Sequence, residues 1–67
     1  MKGLSFSSLR VGSKYKLINF GESTEFMIEK ILGNDFAVKD LLTLERYKLK
    51  DLIKFGKGRD FEIRELD

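Results

Sequence analysis

Short runs of alternating apolar and charged residues, separated by turn signals, dominate the pattern along this chain. Residues 14–17, Lys-Tyr-Lys-Leu, alternate with period two, and so do residues 36–39 and 61–64. Turn signals recur between these runs at intervals of roughly ten residues, which is typical of all-β barrels and sandwiches. They lie at residues 12–13, 21–23, 33–35 and 56–60. The pattern therefore predicts an all-β fold made of short strands.

Residues 25–32 form an apolar run with a mixed pattern. In a strand, Phe26 and Ile28 share one face, whereas Met27 and Ile31 lie on the other. A long, strongly curved strand with a bulge accounts for both sets. We therefore expect one long strand here, whose two halves serve different parts of the fold.

The segment 40–55, DLLTLERYKLKDLIKF, allows two interpretations. It is either one helix that begins at Asp40 and ends at Gly56, or a hairpin return followed by a helical turn at about residues 51–55. As a helix, its apolar residues spread over about 240°, which is wider than a core-facing stripe. In the hairpin interpretation, Tyr47 and Leu49 lie on a strand and point inward. The hairpin is the preferred interpretation.

The predicted core takes the inward position of each strand and the apolar side chains of the helical turn. It comprises Leu9, Val11, Tyr15, Leu17, Phe26, Ile28, Ile31, Phe36, Val38, Tyr47, Leu49, Leu52, Ile53, Phe61 and Ile63.

Five strands with one short helical turn before the last describe a known small barrel. The segments LRVGSKYKL (9–17), DFAVKDLLTLERYKLKDL (35–52) and DFEIREL (60–66) resemble the SH3-like superfold, in its Tudor-type and KOW-type forms. The resemblance is one of architecture and implies a five-stranded all-β SH3-like barrel with a short 3₁₀ turn. We expect residues 9–67 to form this single domain, preceded by an N-terminal extension or edge strand at residues 1–8.

The residue composition argues against most catalytic chemistry. The chain contains no histidine and no cysteine, so it lacks the commonest general base, thiol nucleophile and zinc ligands. No serine has an evident base beside it, and no calcium-loop motif is present. We expect no enzyme activity, no metal and no cofactor. The lack of a long apolar run favours a cytoplasmic protein with no membrane partner.

Positive charge is concentrated late in the chain, although the formal net charge is only +2. The basic strip comprises Arg46, Lys48, Lys50, Lys54, Lys57 and Arg59. Such a strip can contact phosphates, and exposed aromatics such as Phe20 and Phe55 can stack on bases. Single-stranded RNA or DNA is therefore one candidate partner.

Three leucines around Thr43 form the tip of the proposed hairpin: Leu41, Leu42 and Leu44. They cannot all be buried, and an exposed apolar cluster often marks an interface. We expect a small binding module that acts in protein–protein interaction or in self-association, for example as a dimer. Nucleic-acid binding through the basic strip is the alternative.

The stretch Gly56-Lys57-Gly58-Arg59 invites comparison with a phosphate-binding loop. In a P-loop, however, the glycines follow a strand and open a helix, whereas here they follow a helical turn and open a strand. Gly56 fits a left-handed helix cap, and Gly58 fits a second position with positive φ. We interpret the stretch as a turn, with Lys57 and Arg59 as the exposed end of the basic strip.

Overall fold

A single five-stranded antiparallel sheet forms the body of the protein in the computed structural model, which describes residues 6–66. The strands lie in the order β4-β3-β2-β1-β5. Two 3₁₀ turns, η1 and η2, complete the fold. The elements are η1 (Phe6–Ser8), β1 (Lys14–Asn19), β2 (Glu22–Leu32), β3 (Asp35–Asp40), β4 (Arg46–Lys48), η2 (Leu49–Ile53) and β5 (Glu62–Glu65). The predicted all-β class with five strands is confirmed.

The long strand β2 contains the predicted bulge. Its register with β3 shifts by one residue between Ile28 and Lys30, so Glu29 is the extra residue. Before the bulge, β2 pairs with both β1 and β3, and Phe26 and Ile28 are completely buried. Beyond the bulge, β2 continues with β3 alone.

Two predicted core residues, Ile31 and Val11, are instead exposed, so both predictions were wrong. Ile31 lies beyond the bulge, where β1 no longer flanks β2, and it is 53% exposed. Val11 lies in the turn before β1 and is 54% exposed. The next residue, Gly12, has φ +88° and donates its N–H to the carbonyl of Ile28, so this turn runs along the margin of the sheet.

Residues 40–55 form a hairpin return followed by a 3₁₀ turn, which confirms the preferred interpretation and excludes the continuous helix. The helical turn spans Leu49–Ile53, two residues earlier than predicted. The Asp51 carboxylate accepts a long 3.4 Å hydrogen bond from the N–H of Lys48, which places the start of the turn directly after β4. Leu49 is completely buried, as expected, but it belongs to η2 rather than to β4.

The core fills one face of the curved sheet. Tyr15, Phe26, Ile28, Val38, Leu49 and Ile63 are at most 1% exposed. Leu9 and Leu17 complete the buried cluster, and six further apolar side chains pack against its margin. These six are Phe6, Phe36, Tyr47, Leu52, Ile53 and Phe61. Apart from Val11 and Ile31, every predicted core residue therefore lies in or against the observed core.

The chain enters the sheet through a short turn on the core side. Residues 6–8 form η1, in which the Phe6 ring packs edge-on against Phe61, with 6.3 Å between the ring centroids. The predicted extension at residues 1–8 falls mostly outside the described residues and stays a prediction. No helix within residues 6–66 has the length and apolarity needed to cross a membrane.

Candidate binding groove

A groove of about 230 Å³ opens between the β1–β2 hairpin tip and η2. Its floor includes the buried residues Leu17 and Asn19, and two strongly exposed rings lie in its walls: Phe20 is 59% exposed and Phe55 is 84% exposed. The full lining comprises Leu17, Asn19, Phe20, Glu22, Thr24, Asp51, Leu52, Lys54 and Phe55. Two aromatic residues that lie 35 positions apart in the sequence thus form a single site.

A second depression of about 230 Å³ adjoins the groove, and Thr24 lines both. Its other lining residues are Ser23, Glu25, Asp40 and Leu42. Leu42 is 90% exposed, more than any other large apolar side chain within residues 6–66. The two depressions share Thr24 and are together called here the apolar groove, after the exposed apolar side chains of Phe20, Phe55 and Leu42 that line them; polar side chains make up most of the remaining lining.

The hairpin turn between β1 and β2 holds Phe20 in place. Phe20 and Gly21 have φ values of +51° and +76°, which correspond to a type I′ turn. A positive φ is costly for a bulky side chain. The Asp60 carboxylate offsets this cost by accepting the N–H groups of Phe20 and Gly21, at 2.9 and 2.7 Å. The loop before β5 thereby anchors the hairpin tip.

Buried Asn19 fixes the stretch Gly56-Lys57-Gly58-Arg59 as a turn. Its Nδ2 donates to the carbonyl of Gly56 at 3.1 Å, and its Oδ1 accepts the N–H of Gly58 at 2.7 Å. Gly56 has φ +96°, so the predicted left-handed cap is confirmed. The predicted positive φ of Gly58 was wrong. A Cβ at position 58 would lie 2.9 Å from Cδ1 of Phe20 and 3.2 Å from Oδ1 of Asn19, so a larger residue there would displace the Phe20 ring.

Phe55 lies in the segment that follows η2, and the side chain of the adjacent Lys54 lies over its ring. The ammonium of Lys54 lies 5.2 Å from the centre of the Phe55 ring, a cation–π distance. The backbone beneath is closed by a hydrogen bond from the N–H of Gly56 to the carbonyl of Ile53. Phe55 is therefore displayed on a defined turn rather than used as a cap on the core.

The β3–β4 tip displays Leu42 on a network of hydrogen bonds centred on Asp40. One carboxylate oxygen accepts the N–H groups of Leu42 and Thr43, at 2.7 and 2.9 Å, and the other accepts the Tyr47 hydroxyl at 3.2 Å. Leu44 adopts a φ of +64° at the tip. A tight turn usually has glycine at a position with this backbone conformation. The prediction that the three leucines of the tip cannot all be buried is confirmed: Leu42 and Leu44 are exposed, and Leu41 is half-buried.

The same hydrogen bonds govern the ionisation of Asp40. The N–H groups of Thr43 and Leu42 lower the pKa of Asp40 below its ordinary value of 3.8. Burial and the adjacent carboxylate raise the pKa of the Tyr47 phenol, so the phenol stays protonated and donates to Asp40. The tip is therefore most rigid when Asp40 is ionised.

Because the ionised Asp40 carboxylate accepts the hydrogen bonds of the tip, we expect the tip to become less stable when acid protonates Asp40. A depressed carboxyl pKa stabilises the fold above the unfolded value of 3.8, and the stabilisation is lost as the pH falls through the lower folded value. We expect the difference in free energy of unfolding between the protein and its Asp40→Asn variant to be constant above about pH 5 and to shrink in more acidic solution. Urea titrations from pH 7 to pH 3 measure it, and a constant difference throughout would contradict the assigned role.

The predicted basic strip lies on two separate parts of the surface. Arg46 and Lys48 lie on the outer face of β4, and Arg46 pairs with Glu29 at 2.9 Å. Lys57 contacts the rings of Phe61 and Phe6, with its ammonium 4.9 and 5.2 Å from their centres. All six strip residues are exposed: Arg46, Lys48, Lys50, Lys54, Lys57 and Arg59.

Sequence reasoning did not anticipate the polar residues that line the apolar groove. Glu22, Glu25 and Asp51 lie at outward or turn positions, and nothing in their local pattern distinguishes them from ordinary surface residues. Only the pairing of β1 with β2 and the position of η2 bring them together. Across residues 6–66, no group of three or more carboxylates is arranged to hold a metal ion.

The fold and the site together define the class of protein: a small all-β chain with an exposed apolar groove. No protein-family model matches the chain, and no match is found among curated proteins or solved structures.

Proposed function

We propose that this protein is a binding module that recognises an extended segment of a partner protein in the apolar groove. One observation carries the proposal. The two most exposed large apolar side chains of the described residues, Leu42 and Phe55, line two adjoining depressions that share Thr24, and hydrogen-bonded turns hold both. Exposed apolar surface of this kind marks interaction sites, and preorganised anchors bind with a lower entropy cost.

The groove also restricts the chemistry of the segment it fits. Four carboxylates line its two depressions, against the single ammonium of Lys54. They belong to Glu22, Glu25, Asp40 and Asp51. Electrostatic complementarity favours a segment that carries Lys or Arg beside its apolar anchors. The proposed ligand is therefore a short basic–apolar peptide from another protein.

The strand order also supports a more specific fold, the SH3-like barrel. β5 adds to β1 on the side opposite β2, and η2 lies between β4 and β5 in the chain. The resemblance in residues 9–66 implies this arrangement of strands. We propose that the sheet closes as a small barrel of this type, and that the apolar groove lies at its open end. Because such barrels host unrelated functions, the functional proposal rests on the groove alone.

Selection from a random peptide library tests the proposed function. We expect the protein to enrich peptides in which aromatic or aliphatic residues alternate with Lys or Arg. Replacing Phe55→Ser or Leu42→Ser should weaken binding of an enriched peptide by at least about tenfold, because each removes an anchor of the kind that acts as an interface hot spot. Titration calorimetry measures the loss.

Ile31→Ser is the matched control, because Ile31 is 53% exposed and lies outside the groove. It should leave peptide affinity within about twofold, as expected for a residue that makes no contact. Equal losses in all three variants, or a library without enrichment, would overturn the proposal. A protein whose mass rises with concentration, and falls back in Leu42→Glu, would instead assign the groove to a second copy of the chain.

A further inference from the structure

The outer face of the sheet, opposite the core, carries a continuous cationic surface. Strand register places Lys14, Met27, Lys39 and Arg46 in one row across β1, β2, β3 and β4. At about 4.8 Å per strand, the row spans about 14 Å. Its end residues, Lys14 and Arg46, are exposed, and Lys39 is partly exposed.

Further cations flank this row on the same face. Beyond the bulge, Lys30, Ala37 and Lys48 form the next row, and on the other side Lys16 lies opposite Glu25. The resulting set, called here the cationic face, comprises Lys14, Lys16, Lys30, Lys39, Arg46 and Lys48.

Charge is strongly segregated between this face and the remainder of the protein. The whole chain has thirteen basic and eleven acidic residues. Six basic residues of this face lie with two acids, Glu25 and Glu29, and β5 adds the ion pair of Arg64 with Glu62 beside Lys16. Six basic and eight acidic residues are then left elsewhere. A nearly neutral chain thus has one face that is clearly positive, and a patch of this kind attracts polyanions.

The fold itself gains little from this arrangement. Lys39 lies directly opposite Arg46, and like charges in that position are destabilising. Among the six cations, the structure of residues 6–66 records an ion pair for Arg46 alone, to Glu29. The remaining ammonium groups therefore have no carboxylate partner within the described residues and are available to an external anion.

We propose that the cationic face binds the phosphate backbone of a nucleic acid, independently of the apolar groove. The large exposed apolar side chains of the described residues all lie outside its rows. Protein interfaces draw most of their energy from apolar or aromatic anchors, and binding in a membrane surface is strengthened by side chains that insert; this face has no large exposed apolar side chain for either role. A phosphate backbone needs only cations. The face accordingly binds without reading bases.

Fluorescence anisotropy with labelled 20-mers at 50 to 200 mM salt tests this inference, with single-stranded and duplex DNA and RNA as separate arms. We expect binding that is independent of sequence and falls with salt, with a logarithmic slope of about −0.9 per phosphate contacted in duplex DNA. Lys39→Gln should reduce the magnitude of that slope by about 1. Combining Lys14→Gln, Lys39→Gln and Lys48→Gln should weaken binding at 50 mM salt by at least about tenfold.

A triple variant of equal charge change provides the control: Lys54→Gln, Lys57→Gln and Arg59→Gln. These positions lie on the loop after η2 rather than on the sheet, so affinity should stay within about threefold of the parent. A loss in this loop variant alone would move the site to the predicted basic strip. Equal losses in both triple variants would mean that net charge alone governs binding. Either result would overturn the proposal.

Glu29→Gln should act in the opposite direction. It removes a negative charge from the cationic face and frees the Arg46 guanidinium, so affinity should rise by about two- to fivefold. Loss of the folded face would lower the affinity, so a gain accompanied by unchanged thermal unfolding is specific to the charge change. Absence of binding to every nucleic acid at 50 mM salt, or binding to phosphatidylserine vesicles alone, would also overturn the inference.

Discussion

Replacing Leu49→Ala is expected to destabilise the protein by about 2–5 kcal/mol. Leu49 is completely buried, and it is the one buried residue of η2. Its side chain therefore joins this turn to the core, and its removal leaves a cavity that the sheet cannot fill. For a domain of this size, a loss of 2 kcal/mol lowers the melting temperature by at least about 8 °C. Thermal unfolding followed by circular dichroism measures the shift.

Leu42→Ala is the informative control, because it separates the two interpretations of residues 40–55. In one helix, Leu42 and Leu49 would lie seven residues apart on the same face, and their truncation would have similar effects. In the hairpin, Leu42 is 90% exposed, so its truncation should change stability by less than about 0.5 kcal/mol. Similar effects at the two leucines would contradict the observed fold.

Local patterns in the sequence predict the strands because a half-buried strand shows its period directly. Tyr15 and Leu17 alternate with lysines, and both are buried as expected. The bulge in β2 could also be inferred, since Phe26 and Ile28 share a face that Met27 and Ile31 do not. The failure at Ile31 arose from a non-local cause: β1 begins opposite Met27 and leaves the far half of β2 uncovered.

Both candidate surfaces depend on the register of distant strands, which explains why the sequence predicts only parts of them. Phe20 and Phe55 were recognisable as exposed aromatics near turns, but their shared groove requires η2 to lie beside the β1–β2 tip. Likewise, Arg46 and Lys48 were recognisable as outward cations. Their neighbours Lys39 and Lys14 follow only from the pairing of β3 with β4 and of β1 with β2.

The two surfaces lie mostly on opposite faces of one sheet and meet at Glu25, which lines the second depression and also lies opposite Lys16. Along β2, Thr24 points to the core side with Leu17, and Met27 points to the outer side with Lys14. Strand β2 thus contributes side chains to both surfaces. The proposed peptide and the proposed nucleic acid would then occupy mostly different faces, and variants that avoid Glu25 test one surface at a time.

Removing the side chain of Asn19 is expected to damage the fold and the apolar groove together. Asn19→Ala leaves the N–H of Gly58 without the partner that it has at 2.7 Å, and the carbonyl of Gly56 loses its donor. An unsatisfied, partly buried amide costs about 1–3 kcal/mol. Because the Phe20 ring lies against Gly58, we also expect peptide affinity to fall with stability. Urea unfolding and titration calorimetry measure the two losses.

Asn34→Ala is the matched substitution, because Asn34 is an exposed residue of the β2–β3 turn. It should change stability by less than about 0.5 kcal/mol and leave the peptide affinity unchanged. Asn19→Asp retains an acceptor for Gly58 but loses the donor to Gly56 and places a charge where the side chain is 6% exposed, so it should not rescue stability. If Asn19→Ala proves as mild as Asn34→Ala, the buried amide does not hold the Gly56–Gly58 turn, and the rigidity of the Phe20 wall must come from Asp60 alone.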